Sequence, residues 1–144
     1  MARPSRFGLT PSPRVRILWP VKIHQVAAQL YTVRDFCKTA ADLASSLRRI
    51  RAIGYQAVQV SGIGDIPPAE VRKIADDSGV TICATHESGD TIRQRPLEIV
   101  EKLKTLGVTY TAYPYPANVD FSDPASVKAM VSDLNAAEIG RAHV

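Results

Sequence analysis

Two periods of hydrophobic residues alternate along most of this chain. Short runs in which β-branched and polar residues alternate are each followed by a longer stretch that has apolar residues three and four positions apart. The helical stretches end at Gly54, Gly79 and Gly107, which lie 25 and 28 residues apart. One helix, one strand and two short loops fill such an interval, so the pattern predicts repeated βα units around a parallel sheet.

The same periods place the individual elements. We expect strands over 23–32 and 57–61, from 80 to about 85, and after Gly107 as far as Tyr113. The helices are expected to begin at Thr39 (capped together with Asp42), at Pro67 and Pro68, near Pro96, and at Ser122 or Asp123. The apolar residues expected on their inner faces are Leu43, Leu47, Ile50, Ile53, Val71, Ile74, Ala75, Leu97, Val100, Leu103, Leu106, Val127, Met130, Val131 and Leu134.

Polar residues on one face of the second strand refine the fold class. Val58 and Val60 alternate with Gln59 and Ser61, so the face away from the helices is polar, as at the mouth of a barrel. A (β/α)8 barrel typically needs about 250 residues, and about four βα units fall within 23–137. We therefore expect an α/β chain that forms the N-terminal half of a TIM barrel. A flavodoxin-like sheet of about five strands is the alternative.

The two ends of the chain differ from the βα repeat. Residues 1–22 hold five basic and no acidic side chains, with three prolines within the first 13 positions, which predicts a disordered basic arm. Residues 138–144 read EIGRAHV and match the translated opening of a common sequencing-library adapter. An ordinary helix end with a glycine cap is the alternative for this last segment.

Charge and cysteine content narrow the class of function. The formal net charge of +4 comes from the arm, because the 122 residues after position 22 carry 13 basic and 14 acidic side chains. A nucleic-acid-binding surface on the folded part is therefore not expected. Cys37 and Cys83 lack the CxxC spacing of a zinc site, and no apolar run approaches the roughly 20 residues of a membrane span. We expect a cytoplasmic protein without a membrane partner.

Candidate chemistry lies at the carboxyl ends of the predicted strands, where parallel sheets place their sites. His86 is the candidate catalytic residue, because its imidazole can contact a substrate oxygen or help to orient a metal-bound water. The candidate substrate-binding residues are Gln29, Tyr31, Gln59, Ser61, Glu87 and Tyr113. Each has a structural alternative: a backbone-bonded histidine, ordinary polar residues of a barrel interior, or a tyrosine that plugs the rim.

Arginines near these strand ends have two interpretations. Arg34 follows the first strand and either holds a phosphate or carboxylate through charge-assisted bonds or pairs with Asp35 in solvent. Arg93 and Arg95 are expected in a solvated loop together with Asp90. Motifs of the GxGxxG, P-loop, HExxH and GxSxG types are absent, so nucleotide binding and serine hydrolysis lack support.

Three segments carry a resemblance to a known family. The run Gln-Leu-Tyr-Thr-Val-Arg-Asp over 29–35, the run Ile-Gly-Tyr-Gln-Ala-Val-Gln-Val-Ser-Gly over 53–62 and Ala-Thr-His over 84–86 resemble the sugar phosphate isomerase/epimerase family of xylose isomerase-like TIM barrels. The resemblance implies proton transfer between adjacent carbons of a sugar or cyclitol. It also implies a divalent metal (Mn, Mg, Zn or Co) that is held mostly by later strands, so no metal is expected on this chain itself. Gln59 stands where many relatives carry a glutamate.

Two other functions remain open at this point. A metal-dependent DNA-repair barrel of the endonuclease IV-like type shares the architecture, but the folded part lacks the basic surface that DNA binding needs. A non-catalytic flavodoxin-like or half-barrel interaction module is the alternative from a different class. An open parallel sheet has unpaired edges, so self-association through those edges is expected, and the chain alone is expected to be inactive.

Overall fold

The computed structural model of this protein describes residues 21–116 and 118–142, with side chains described as far as Glu138. Most of the predicted arm and the last two residues of the predicted adapter segment therefore lie outside the described residues. Helices and strands alternate along the chain after a 3-10 turn at Ile23–Gln25. The strands are β1 (Ala27–Gln29), β2 (Ala57–Val60), β3 (Thr81–His86) and β4 (Thr111–Ala112), and the helices are α1 (Ala40–Ile53), α2 (Pro68–Asp77), α3 (Gly89–Gln94), α4 (Pro96–Leu106) and α5 (Pro124–Ala142).

The four strands form one all-parallel sheet in the order β1-β2-β3-β4. The predicted α/β class is confirmed, and a four-stranded parallel sheet that alternates with helices is consistent with half of a βα barrel. β1 is much shorter than the predicted 23–32, because 3-10 segments flank it on both sides, at Ile23–Gln25 and Leu30–Phe36. The Tyr31 amide accordingly donates to the Ser61 hydroxyl at 3.1 Å.

The helix starts follow the predicted capping chemistry. The Thr39 hydroxyl accepts a hydrogen bond from the Asp42 amide at 3.2 Å and so begins α1. At the start of α5, the carboxylate of Asp123 accepts from the amides of Ala125 and Ser126 at 3.0 and 3.2 Å. These bonds satisfy first-turn amides that have no partner within the helix. Helix α3 was not predicted, since the sequence between Glu87 and Pro96 reads as a loop.

The main core lies between the sheet and helices α1, α2 and α4, and a smaller cluster lies farther along the helical layer. The main cluster consists of Leu30, Cys37, Leu43, Leu47, Ile50, Val58, Val60, Val71, Ala75, Val80, Ile82 and Leu106. In the smaller cluster, Ile92, Ile99 and Leu103 pack against Leu134 of α5 and Tyr113. As predicted, Val58 and Val60 face the helices.

Three residues that were predicted to face inward are exposed: Ile53, Leu97 and Val131. Leu97 lies about 130° around α4 from the centre of its buried stripe, at about 100° per residue. Ile53 is in the last turn of α1, at the edge of the stripe. Val131 lies on α5, which packs on α3 and α4.

Ser46 occupies a buried position on α1 that the apolar pattern did not predict. Its hydroxyl donates to the Phe36 carbonyl oxygen at 2.6 Å. That bond offsets the cost of removing the hydroxyl from water. It also ties α1 to the segment that follows β1.

Candidate functional site

One extra residue in β3 decides which side chains reach the open face of the sheet. Val58 pairs with Ile82, but the next residue of β2, Gln59, pairs with Ala84, so Cys83 has no partner position on β2. After this bulge Thr85 is level with Val60, on the helix side, and its hydroxyl donates to that of Thr111 at 2.9 Å. Side chains alternate along a strand, so His86 lies on the open side.

His86 lies at the junction of two neighbouring cavities at the carboxyl edge of the sheet. A cavity of about 430 Å³ is lined by residues that include Gln29, Tyr31 and Pro114, and one of about 400 Å³ includes Asp65 and Lys102. The residues lining both cavities are Ser61, Gly62, His86 and Glu87. Both volumes lie within the range typical of small-molecule sites, about 300 to 1,000 Å³.

The structure brings most of the predicted site residues together. Gln29, Tyr31, Ser61, His86 and Glu87 line the 430 Å³ cavity. Gln59 lines neither of the two cavities. It pairs with Gln29 of β1 and lies two residues before Ser61, closer to the amino end of its strand. The predicted set is therefore mostly one cluster on one edge.

Tyr113 lies apart from this cluster. Because Thr111 is on the helix side of β4, the alternation also directs Tyr113 toward the helices, where it packs against the smaller core cluster. It lines a separate cavity of about 240 Å³ with Ile92, Leu103 and Leu134. Among the described residues its buried hydroxyl has no hydrogen-bond partner.

Glu87 makes an ion pair that the sequence did not predict. Its carboxylate accepts a hydrogen bond from Lys102 Nζ of α4 at 2.8 Å, and the two side chains are 11% and 39% exposed. Lys102 follows Ile99 by three residues and precedes Leu106 by four, which puts a charge on the buried face of α4. A charged residue at a core-facing position of the helical pattern was the signal that could have drawn attention to Lys102.

The rim of the 430 Å³ cavity is built around Gly62. This residue has φ +66°, and a Cβ at this position would come within 2.7 Å of the Tyr31 ring. The guanidinium carbon of Arg34 lies 4.5 Å from the centroid of the same ring, and Nη1 donates to the Tyr31 carbonyl oxygen at 3.0 Å. Arg34 thus stacks on Tyr31, and the alternative pairing with Asp35 is not present among the salt bridges of the described residues.

The loop that follows β2 is held tightly against the segment before α1. The Gly64 amide donates to the Cys37 carbonyl oxygen at 2.8 Å, and a Cβ on Gly64 would overlap the Lys38 carbonyl oxygen. Lys38 Nζ in turn donates to the Gly62 carbonyl oxygen at 3.4 Å. Burial raises the pKa of the Cys37 thiol, which the Ser46 hydrogen bond and Lys38 partly oppose.

The predicted solvated loop at residues 90–95 is wrong for Arg93. Arg93 belongs to α3, its side chain is only 17% exposed, and its guanidinium lies 3.0 Å from Asp90 and 3.7 Å from Asp133 of α5. It therefore connects two helices instead of extending into solvent. Arg95 is exposed, as expected, and pairs with Glu98 at 3.0 Å.

The donor groups of this site do not form a metal centre by themselves. Within residues 21–116 and 118–142, no group of three or more His, Cys, Asp or Glu side chains is arranged to hold a metal ion. Over the same part of the chain, none of the helices has the length and apolar character to cross a membrane.

A scan of protein-family models and a search of curated proteins found no match to this chain.

Proposed function

We propose that this chain is part of a (β/α)8 barrel that moves a proton between adjacent carbons of a sugar or cyclitol. The observation that carries the proposal is the convergence of amide, hydroxyl, imidazole and carboxylate groups on one cavity. These groups belong to Gln29, Ser61, His86 and Glu87. They lie at the carboxyl edge of a parallel sheet, where α/β enzymes bind their substrates.

The chemistry of the cavity suits a polyol. Gln29 and Ser61 both donate and accept hydrogen bonds, as a ligand hydroxyl group does. His86 is the group proposed to exchange a proton with a substrate oxygen, since an imidazole can act as acid or base near neutral pH. Glu87 is the second candidate for proton transfer. It lines both cavities together with His86, and its ion pair with Lys102 fixes the position of its carboxylate.

The resemblance that supports this proposal also implies a divalent metal. The described residues do not supply a ligand set for one, so no step is assigned through a metal here. What this chain supplies under the proposal is substrate binding and a proton-transfer group. The free cysteines Cys37 and Cys83 further support the proposed cytoplasmic location, where thiols stay reduced.

Titration of the ¹⁵N-labelled chain with an aldopentose, a ketohexose and myo-inositol tests the proposal. We expect saturable shifts at Gln29, Ser61 and His86, and at least a fivefold loss of affinity in His86→Ala, since one hydrogen bond contributes about 1 kcal/mol. The matched control is His24→Ala, which removes an exposed histidine before β1. Equal affinities for the two variants, or shifts scattered away from the cavity, contradict the proposal.

The uncovered face of the sheet favours a second candidate, a non-catalytic half-barrel interaction module. Cys83 and Tyr110 are exposed, and β1 and β4 have no neighbour on their outer edges within the described residues. Parallel sheets are normally covered on both faces. Under this candidate the chain self-associates through its strand edges, and size-exclusion chromatography over a range of concentrations measures this. A monomer at all concentrations contradicts it.

A further inference from the structure

The 240 Å³ cavity on the helix side of β4 has no part in the proposed proton transfer. Its walls come from α3, α4 and α5, from β4, and from Tyr113 just after β4. Most of the wall is aliphatic and is formed by Ile92, Ile99, Val100, Leu103 and Leu134. None of the lining residues is shared with the 430 Å³ or the 400 Å³ cavity, so this cavity is a separate candidate site.

Tyr113 brings an unsatisfied polar group to this cavity. Its hydroxyl is buried and makes no hydrogen bond within the described part of the chain. The hydroxyl of Thr111, which also lines the cavity, is already bonded to Thr85: it accepts from the Thr85 hydroxyl at 2.9 Å and donates to the Thr85 carbonyl oxygen at 3.3 Å. A buried hydroxyl without a partner destabilises a protein, and a bound molecule with a suitably placed oxygen removes that cost.

The wall of the cavity suits an apolar molecule better than water. A buried water typically makes about three hydrogen bonds to protein groups. The polar side chains that line this cavity are Thr111, Tyr113 and the exposed Glu138, and the hydroxyl of Thr111 is engaged elsewhere. A cavity of about 150 Å³ with aliphatic walls stays dry and binds benzene. A cavity of about 240 Å³ therefore has room for one six-membered ring and a few further atoms.

The charges around the cavity favour a neutral molecule. An aliphatic wall does not replace the hydration that a charged group loses on entering. Glu138 lines the cavity and opposes an anion. Arg93 is not among the lining residues, and its guanidinium is already paired with Asp90 at 3.0 Å and with Asp133 at 3.7 Å. It is therefore not available to neutralise an anionic ligand.

We infer that this cavity is a binding site for a small neutral molecule with a single ring and one hydroxyl or carbonyl oxygen. The ring packs among the aliphatic side chains of α3, α4 and α5, and the oxygen forms a hydrogen bond with the Tyr113 hydroxyl. The inference does not depend on the proposed sugar or cyclitol site.

Titration of the ¹⁵N-labelled chain with p-cresol and with toluene tests the inference, because toluene lacks only the hydroxyl group. We expect both to cause saturable shifts of the Ile92, Leu103 and Leu134 amides, and p-cresol to bind at least fivefold more tightly. 4-Methylbenzoate and 4-methylbenzylamine place a charge on the same ring and should bind at least tenfold more weakly than p-cresol. Equal affinities for p-cresol and toluene overturn the inference.

Tyr113→Phe isolates the role of the hydroxyl. The variant should lose the preference for p-cresol and keep the wild-type affinity for toluene. Its urea midpoint should not fall, because the change removes no hydrogen bond of the protein itself. The matched control is Tyr115→Phe, which changes a tyrosine that is 73% exposed and should leave both affinities unaltered. An unchanged preference for p-cresol in Tyr113→Phe contradicts the assignment of this hydroxyl.

A second pair of variants tests the cavity itself. Ala137 lines it from α5, so Ala137→Leu should fill part of the space and weaken the binding of both p-cresol and toluene at least tenfold. Ala136→Leu adds the same side chain at an exposed position of α5 and should change neither affinity. Equal affinities in the two leucine variants show that the ligands bind elsewhere, which overturns the inference.

Two other occupants would also give recognisable results. If a second copy of the chain covers the cavity, the Ile92, Leu103 and Leu134 amides shift with protein concentration and p-cresol gives no saturable response. If water fills the cavity, p-cresol again gives no response, and the shifts do not depend on protein concentration. Either result overturns the inference, and neither bears on sugar binding, which is read at Gln29, Ser61 and His86.

Discussion

Replacing Lys102 by Met should destabilise the protein because it leaves the carboxylate of Glu87 without its partner. The methionine side chain is one atom shorter than that of lysine, so the change removes the charge and little packing. Breaking a fully buried ion pair costs about 3 to 5 kcal/mol, whereas an exposed pair contributes about 0 to 1 kcal/mol. With exposures of 11% for Glu87 and 39% for Lys102, this pair lies between those limits. We expect Lys102→Met to lower the free energy of unfolding by about 2 kcal/mol.

The unequal exposure of the two side chains predicts an unequal cost for the reverse change. Without Glu87, the Lys102 ammonium can still reach water, so Glu87→Gln should cost only about 1 kcal/mol. The double variant should cost about as much as Glu87→Gln alone, which gives a coupling energy of about 2 kcal/mol. Urea unfolding followed by far-ultraviolet circular dichroism measures all three values.

The matched control is Lys104→Met on the same helix. Lys104 pairs with Glu101 at 3.2 Å, but both side chains are at least half exposed, so the loss should stay below about 0.5 kcal/mol. The reasoning is refuted if Lys102→Met costs no more than Lys104→Met. It is also refuted if Glu87→Gln lowers the free energy of unfolding more than Lys102→Met does, since the exposure of the remaining charge then does not determine the cost.

Three further predictions concern glycines with different amounts of space around them and the two cysteines. Gly64→Ala should cost about 3 kcal/mol or more, because its Cβ overlaps the Lys38 carbonyl oxygen and backbone cannot move aside cheaply. Gly54→Ala should cost about 1 to 2 kcal/mol, because Gly54 has open space around it but a φ of +119°. A larger loss in Gly54→Ala than in Gly64→Ala, measured by urea unfolding, contradicts this prediction. Cys83 should react quickly with a thiol reagent, and buried Cys37 only on unfolding. Because burial raises the pKa of Cys37, its contribution to stability is present below the ordinary thiol pKa and is lost as the pH rises above it. Stability measured against pH should therefore fall less steeply at alkaline pH in Cys37→Ala, and an unchanged slope contradicts the assignment.

Local patterns predicted most of this fold because local chemistry determines it. The Thr39 and Asp123 caps satisfy amides a few residues away, and the glycines that end the helices take left-handed backbone angles at Gly54, Gly79 and Gly107. The alternation in β2 likewise follows from strand geometry alone. These features depend on residues that are close in sequence, so the amino-acid sequence of one chain is enough to predict them.

The features that prediction missed depend on residues distant in sequence. Nothing near Lys102 in the chain shows that Glu87, fifteen residues earlier, lies opposite it. The half-buried position of Arg93 depends on Asp133 of α5. Tyr113 reads as a strand-end aromatic residue, but which face it occupies depends on the register between β3 and β4. Packing between elements decides each of these cases.

The bulge at Cys83, which has no partner on β2, determines that His86 lies on the cavity side of the sheet. If Cys83 instead paired regularly with Gln59, the strand would still spell Thr-His-Glu, but the threonine would turn toward the ligand and the imidazole would be buried among aliphatic side chains. A strand paired in this way would keep every letter of the apparent motif while losing its chemistry. The irregular pairing of this strand is therefore as much a functional trait as the histidine itself.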